Sequence, residues 1–465
     1  MTTPYWVQDS IFYQIFPDRF ANGDKANDPV NVQPWGVKPT HLHYMGGDLQ
    51  GITQKFNYLL DLGINAIYLN PIFHSTANHR YHTIDYFRID PFLGSMNDFK
   101  ALLNVAHNNN VRVILDGVFN HCGRGFFAFI NVLENQEHSP YCDWFHIKNF
   151  PINAYGKGEA QDYLAWWGFR SLPKFNTDNQ QTRKYLLDVA RFWIDQGADG
   201  WRLDVPNEID DDKFWAEFRD TVKSANPDSY LVGEIWTPDR RWVGETHFDG
   251  LMNYPFREAI IEFLTSDVLP VSEFANRIEN LLNLYPKENV YAMYLPLGTH
   301  DTERLFSKMG NNLEKVKLAF LIQFAFPGAP AVYYGDEIGM QGGKDPESRG
   351  AFPWDDLESR TELHNWVKVL ISLRKQLPVL RRGNYQRIFT DDRRHVFALA
   401  RMLGDSSVLV AINASSTRRH VRFNVLDLNW GDGRIVRNLL GKEEYIVSEG
   451  RLAVSLPPWG GLWVA

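Results

Sequence analysis

Cysteine is nearly absent: Cys122 and Cys142 are the two in 465 residues. That excludes a disulfide-stapled scaffold and reads as two free thiols. An excess of positive charge is also missing. Lys plus Arg number 48 against 56 for Asp plus Glu, a formal net charge of −8, so no basic face for nucleic acid is expected. No stretch approaches the ~18 uninterrupted apolar residues of a membrane span. The first residues, Met1-Thr2-Thr3-Pro4-Tyr5-Trp6, lack the basic start and apolar run of a secretory leader. The expectation is a cytoplasmic protein with no membrane and no nucleic-acid partner. Internal repeats, low-complexity tracts and Gly/Ser linkers are missing too, so no repeat array is expected.

Apolar residues are plentiful at 44%, enough for large cores, and aromatics reach 14%. Rings of this kind serve cores and also act as flat platforms for sugars, so composition leaves that choice open. The first three-quarters of the chain alternates short apolar runs with amphipathic stretches. Strands are predicted at 10–15, 65–69, 111–116, 200–204, 230–234, 250–253, 290–295 and 331–334, with helical stretches at 52–62, 96–108 and 181–196 among the segments between them. Eight strands with helices between them are the pattern of an α/β fold, the closed parallel (β/α)8 or TIM barrel. The barrel is expected to occupy residues 1–118 and 177–378. The stretch 119–176 has no clear period and reads as a small inserted domain after strand 3. Beyond 378 the chain becomes β-rich, with strands at 396–401, 408–413, 420–424 and 452–456, so 379–465 reads as a C-terminal all-β sandwich.

Residues i and i+2 of a strand share a face. Arg202 and Asp204 therefore project together. Asp116, Asp204, Glu234 and Asp301 each fall at a predicted strand end, where barrel enzymes place their chemistry. One such acid alone is commonly a helix cap. Four of them with His, Arg or Asn alongside suit glycoside hydrolysis, which needs one protonated and one ionised carboxyl. Arg202 would favour an ionised Asp204, and apolar neighbours would raise Glu234.

Four segments in order carry a resemblance. They are Asp116-Gly117-Val118-Phe119-Asn120-His121, Gly200-Trp201-Arg202-Leu203-Asp204-Val205-Pro206-Asn207-Glu208, Gly233-Glu234-Ile235-Trp236 and Thr299-His300-Asp301-Thr302. The chain resembles the α-amylase family of glycoside hydrolases over essentially its whole length. Leu172-Pro173-Lys174-Phe175-Asn176-Thr177, Pro17-Asp18-Arg19-Phe20 and Tyr334-Gly335-Asp336-Glu337-Ile338-Gly339-Met340 point within it to the cyclomaltodextrinase, neopullulanase and maltogenic amylase group. The resemblance implies a nucleophile at Asp204, an acid/base at Glu234 and a third carboxylate at Asp301. It implies a sugar subsite lined by Asp116, Arg202, His121, His300, Tyr81 and His79, with Asp345 and Arg349 farther along the non-reducing side. Trp236 and Glu208 would face the leaving side, and Trp166 and Trp167 are further candidates for the sugar path. It also implies a structural Ca2+ held by Asn22, Asp24, Asn27, Asp28, Gly46 and Asp48, and no organic cofactor. An Asx-rich turn that binds nothing is the alternative for that loop.

The implied activity is retaining hydrolysis of α-1,4 or α-1,6 bonds in maltodextrins, cyclodextrins, pullulan or branched glucans. Retention expects the two reacting carboxyls about 5–5.5 Å apart. A debranching enzyme restricted to α-1,6 bonds, or a 4-α-glucanotransferase, would use the same acids. A non-catalytic glucan-binding protein would normally have lost one of them. Most of the group carries an extra β-domain before the barrel, which pairs two subunits over the cleft. Here the first predicted strand starts at Ser10, so that dimer is not expected and the cleft is expected to be more open to long or branched glucans. Pro206 and His82 stand where the group usually has Ala and Asp, and Phe175 replaces Leu.

Overall fold

The computed structural model describes residues 3–266 and 268–465. Met1 and Thr2, the first residues of the predicted barrel segment, lie outside the described residues. The first strands are β1 (Phe12–Ile15) and β2 (Ala66–Leu69). An antiparallel hairpin, β3 (Phe73–Ser75) with β4 (Thr83–Ile89), follows at once. The series continues with β5 (Arg112–Gly117), β6 (Gly200–Leu203), β7 (Tyr230–Gly233), β8 (Gly250–Leu251), β9 (Tyr294–Pro296) and β10 (Ala329–Tyr333). Apart from the hairpin these form one parallel sheet of eight strands, ordered β8-β7-β6-β5-β2-β1-β10-β9. A parallel Met252–Tyr294 bridge joins its two edges and closes the ring. The architecture is the (β/α)8 barrel.

Local signals set the elements. Ser95 and Asp98 form a capping box that starts the helix Met96–Asn108, and Asn179 caps the helix Gln180–Asp195 by accepting from Gln181 and Thr182 N–H groups. Gly63, at φ 95°, ends the helix Phe56–Leu62. The expected helix 52–62 is two helices, Leu49–Gln54 and Phe56–Leu62. The expected strand 290–295 is mostly not one. Residues Lys287–Tyr291 are helical and only Tyr294–Pro296 pair as a strand; an apolar run this short does not distinguish the two by periodicity. Gly200 marks a close strand approach, since a Cβ there would lie 2.0 Å from the Tyr230 carbonyl oxygen.

Inside the ring, alternate residues stack in layers. Phe12 packs on Tyr230 and Tyr294 with ring centroids 5.8 and 5.3 Å apart, in one apolar cluster with Tyr68, Ile114 and Val232. Polar residues follow farther along the strands: Gln14 two residues after Phe12, Asn70 after Tyr68, Asp116 after Ile114, and Arg202 on β6, all buried. The apolar lower half makes the barrel a core, and the polar upper half makes it a site.

Between β5 and β6 the chain forms a compact lobe with its own helix, Phe127–Asn135. Phe175 is buried there and stacks on Phe145, centroids 5.8 Å apart, so this departure from Leu is a core residue of the lobe. The C-terminal part comprises β11 (Asn384–Asp391), β12 (Val396–Leu403), β13 (Ser406–Asn413), β14 (Arg419–Asn424), β15 (Ile435–Arg437), β16 (Glu444–Ile446), β17 (Arg451–Leu456) and β18 (Gly460–Val464). The sheet β11-β12-β13-β18 buries Ala398, Leu409 and Ala411 against Phe423, Leu452 and Val454 of the β14-β17 ribbon. Two buried arginines fasten this sandwich to the barrel. Arg374 donates to the carbonyls of Phe324, Phe326, Gly328 and Leu380. Arg401 donates to those of Ala325, Leu380 and Gly383. Neither has a carboxylate among these acceptors, so they satisfy orphan carbonyls at helix and strand ends.

Glu337 is fully buried and accepts from Tyr13 Oη at 2.8 Å and Tyr58 Oη at 2.7 Å. Burial pushes its carboxyl up to about 7. Folding therefore favours the protonated form. This contribution is intact below the ordinary glutamate range and is lost as pH rises through about 7, with a cost of ~3 kcal/mol once ionised. Glu337→Gln, which keeps an acceptor and cannot ionise, should flatten the fall of Tm between pH 5 and pH 8. Thermal melts across that range check this, and an unchanged slope would contradict it.

Candidate active site

The polar layer sits at the C-terminal ends of the strands. Asp116, at the end of β5, accepts from Tyr68 Oη at 2.5 Å, Tyr81 Oη at 2.7 Å and Arg202 Nη1 at 2.8 Å. The same Nη1 lies 2.9 Å from Asp204 Oδ1, and Arg202 Nη2 lies 2.9 Å from Glu234 Oε2. One buried guanidinium thus touches three carboxylates from three strand ends. Glu234 also accepts from the Val205 N–H at 3.0 Å and from Trp236 Nε1 at 3.2 Å. Val205 stands at φ 36°, ψ 50°, a left-handed conformation that costs a β-branched residue ~1–3 kcal/mol. That conformation aims its N–H at Glu234 while keeping Asp204 on the same turn.

On the other side, Asp301 faces His300 Nε2 at 3.1 Å and Arg349 Nη2 at 3.1 Å. Arg349 also reaches Asp345 at 3.2 Å and the His300 carbonyl at 3.0 Å. Gln14 donates to Asn70 Oδ1 and lies 2.9 Å from His300 Nδ1. With the amide donating, the His300 proton is assigned to Nε2, facing Tyr81 Oη at 2.5 Å and Asp301. The Tyr81 ring stacks on His300 (5.4 Å, 4°) and on His79 (5.8 Å, 29°). Burial pushes His121 down to about 3 and His300 well below its ordinary range, so both imidazoles are neutral at neutral pH.

Burial pushes Glu234 up to about 7, against the pull of Arg202. Asp204 differs from the sequence expectation. Arg202 does pull its carboxyl down, but burial outweighs that pull, and the charges of Glu234, Asp116 and Asp301 add to the rise. A single cation does not offset the burial of all three carboxyls, so Asp116, Asp204 and Glu234 are each pushed up from the ordinary range.

The strand ends thus bring together Asp116, Asp204, Glu234, Asp301, Arg202, His300, Tyr81, His79 and Arg349, with Asp345 reached through Arg349. His121 joins through the Tyr81 backbone. Trp236, 45% exposed, lies beside Glu234 and stacks on Tyr254 at 3.7 Å. Glu208 is tied in through its backbone, whose carbonyl accepts from Lys174 Nζ, rather than through its carboxylate. Of the departures, Pro206 follows Val205 at the start of the turn Pro206–Glu208, and His82 packs edge-on against His79 at 4.8 Å. Tyr68, Gln14, Asn70 and Tyr254 were not foreseen. Tyr68 on β2 lies two residues before Asn70, on the same face by the alternation that pairs Arg202 with Asp204.

The Asx-rich loop lies elsewhere. Asp48 caps the helix Leu49–Gln54 and accepts from the N–H groups of Gly23, Asp24 and Gly51 and from Asn27 Nδ2. Asn22 Nδ2 donates to Asp28 Oδ1 at 2.8 Å. Asn22 Oδ1 and Asn27 Oδ1 are buried without a hydrogen-bond partner. A Cβ at Gly46 would lie 2.2 Å from Asp28 Oδ1 and 2.5 Å from Asn22 Nδ2, so a side chain there would collide with this pair. Two orphaned amide oxygens beside carboxylates and a backbone turn are a hard-cation donor set. Among the described residues, no group of three His, Cys, Asp or Glu side chains is arranged for a metal.

The family model "Alpha amylase, catalytic domain" matches residues 14–376, and "Maltogenic Amylase, C-terminal domain" matches residues 385–463. The chain belongs to the α-amylase family and is a glycoside hydrolase of the cyclomaltodextrinase and neopullulanase type. It is 44% identical over 459 residues to a cyclomaltodextrinase of Geobacillus thermopakistaniensis, covering 98% of this chain and 77% of the relative. Among solved structures it is similar to the debranching enzyme of Nostoc punctiforme, with 40% identity, a TM-score of 0.91, and coverage of 100% of this chain and 99% of that one. It is also similar to the cyclic α-maltosyl-(1→6)-maltose hydrolase of Arthrobacter globiformis, at 37% identity and a TM-score of 0.91, with full coverage of both chains.

Arg202 pulls Glu234 down, so its removal should do the reverse. In Arg202→Gln the Glu234 carboxyl should titrate above about 7. Carboxyl 13C NMR of labelled protein reads this directly; a titration that stays put or falls would refute the bridging role.

Proposed function

We propose that the protein hydrolyses α-glucans by double displacement with retention at the anomeric carbon. Asp204 is the nucleophile: it attacks the anomeric carbon as the glycosidic C–O bond breaks. Glu234 donates its proton to the leaving oxygen, then accepts one from the water that cleaves the glucosyl–Asp204 ester. Asp301, held by His300 and Arg349, binds the sugar's hydroxyls. Asp116, Tyr81, His79 and His121 complete the wall around the ring being cleaved. The observation that carries this reading is the Arg202 fork, which holds Asp204 and Glu234 side by side at 2.9 Å each. A carboxyl held near 7 suits a group that must be protonated in one step and ionised in the next.

Substrates are drawn from maltodextrins, cyclodextrins, pullulan and branched glucans. The Geobacillus cyclomaltodextrinase supports activity on cyclic glucans, and the likeness to the Nostoc debranching enzyme favours action on branched ones. The 38% identity to an intracellular maltogenic amylase of Bacillus subtilis supports the cytoplasmic setting expected from the sequence; among the described residues no helix is long and apolar enough to cross a membrane. Chromatography of products from pullulan, a cyclodextrin, amylose and a branched glucan tests the reading. Panose from pullulan assigns α-1,4 cleavage, maltotriose assigns α-1,6, and longer oligosaccharides from a short substrate assign transfer. Asp204→Asn should lower turnover by at least about a thousandfold while sugar binding survives. The wild-type rate should fall as pH rises through about 7, where Glu234 loses the proton it must donate. Near-wild-type turnover in Asp204→Asn on all four glucans would overturn the assignment.

We also propose that Asn22, Asp24, Asn27, Asp28, the Gly46 backbone and Asp48 hold Ca2+. The ion would supply no chemistry to the reaction; it would pin the loop between β1 and the helix Leu49–Gln54. The orphaned oxygens of Asn22 and Asn27 support this. Dialysis against a chelator should lower Tm, and added Ca2+ should restore it in a concentration-dependent way. A Tm indifferent to both would leave the loop as an Asx turn only.

A further inference from the structure

The short turn Trp166–Gly168 in the lobe between β5 and β6 presents two adjacent tryptophans with different fates. Trp166 is half-buried, and its ring stacks on His121 (5.3 Å, 22°) and on Trp167 (4.8 Å, 10°). Trp167 has one face on Trp166 and the other in water, and it is 72% exposed.

Neither burial nor backbone preference accounts for a tryptophan there. Its backbone sits at φ 47°, ψ 28°, the left-handed region that bulky residues avoid. The turn is nevertheless firmly held. Gly168 donates to the Ala165 carbonyl, Phe169 to that of Trp166, Ala160 to that of Gly168 and Trp166 to that of Leu172, at 2.8–3.1 Å. The open ring face is therefore fixed in advance, which lowers the entropy cost of stacking a ligand on it. The stack leads back to the reaction centre: Trp167 on Trp166, Trp166 on His121, and His121 against the backbone of Tyr81, whose hydroxyl touches Asp116.

We propose that Trp167 is a binding platform for a glucosyl unit of the substrate chain lying beyond the units at the cleaved bond, and that it sets a preference for longer glucans. This rests on the α-glucan reading above. A pyranose ring offers a flat face of C–H groups that matches an open indole face. The continuity of the ring stack with the carboxylate centre favours substrate over an unrelated partner. Trp166 serves as the spacer that sets the height of Trp167.

The test compares wild type, Trp167→Ala and Trp167→Phe on maltotriose and maltoheptaose, with circular dichroism to establish the fold. In Trp167→Ala the ratio of kcat/KM for maltoheptaose to that for maltotriose should fall about five- to tenfold, carried by KM, with kcat on maltoheptaose kept. Trp167→Phe should retain the wild-type ratio within about twofold. Equal losses on both sugars would show a structural role, and an unchanged ratio with a shift in oligomeric state by gel filtration would show a protein contact. Either overturns the platform alone. A wild-type protein inactive on both sugars would overturn the hydrolysis reading and the platform with it.

Discussion

The upper half of the barrel depends on the Arg202 guanidinium. Asp116, Asp204 and Glu234 are buried within hydrogen-bonding reach of it, and without a cation those carboxyls could not share a dry volume in any ionised form. The barrel supplies the geometry. Neighbouring parallel strands are in register, with Asp116 paired to Arg202 and Arg202 to Val232, so one long side chain reaches three strand ends. Burial still wins over a single cation at Asp204, so the carboxyls around Arg202 are pushed up from the ordinary carboxylate range.

That arrangement is supported at a cost. Val205 accepts a left-handed backbone to deliver its N–H to Glu234. Gln14, at the top of β1, spends its amide on orienting Asn70 and His300. These residues act on the site through others, and they sit where strand alternation turns from the apolar lower layers to the polar upper one. Below, Phe12, Tyr230 and Tyr294 fill the ring with a packed core, which keeps the polar layer at one mouth.

The aromatic content divides along the same line. Most rings pack inward, as with Trp193 on Phe73 at 4.7 Å and Phe263 on Phe274 at 4.2 Å. A few stand at the cleft: Tyr81 between two histidines, Trp236 over Tyr254, and Trp167 outermost. Composition could count these rings but not sort them, because a stacking face is defined by what covers its other side.

The barrel and the sandwich were legible in the sequence because strands alternate with a period of two and helices carry caps and glycine stops, signals that are local. Asp116, Arg202, Asp204, Glu234, His300 and Asp301 were legible too, since their order and strand-end placement survive in one dimension. The helical start of 290–295, the lobe helix Phe127–Asn135 and the roles of Gln14, Tyr68 and Tyr254 were not. The side-chain roles depend on partners far away in the chain, as with Gln14 and His300, and the apolar run at 290–295 is too short for its periodicity to separate helix from strand. What the sequence determined by itself was therefore the fold class, the family and the identity of the clustered acids. Only the tertiary structure decided which carboxyl meets which nitrogen, that burial outweighs Arg202 at Asp204, and which tryptophan keeps an open face. Electrostatic balance and ring exposure are properties of surroundings, and surroundings exist only once the chain has closed.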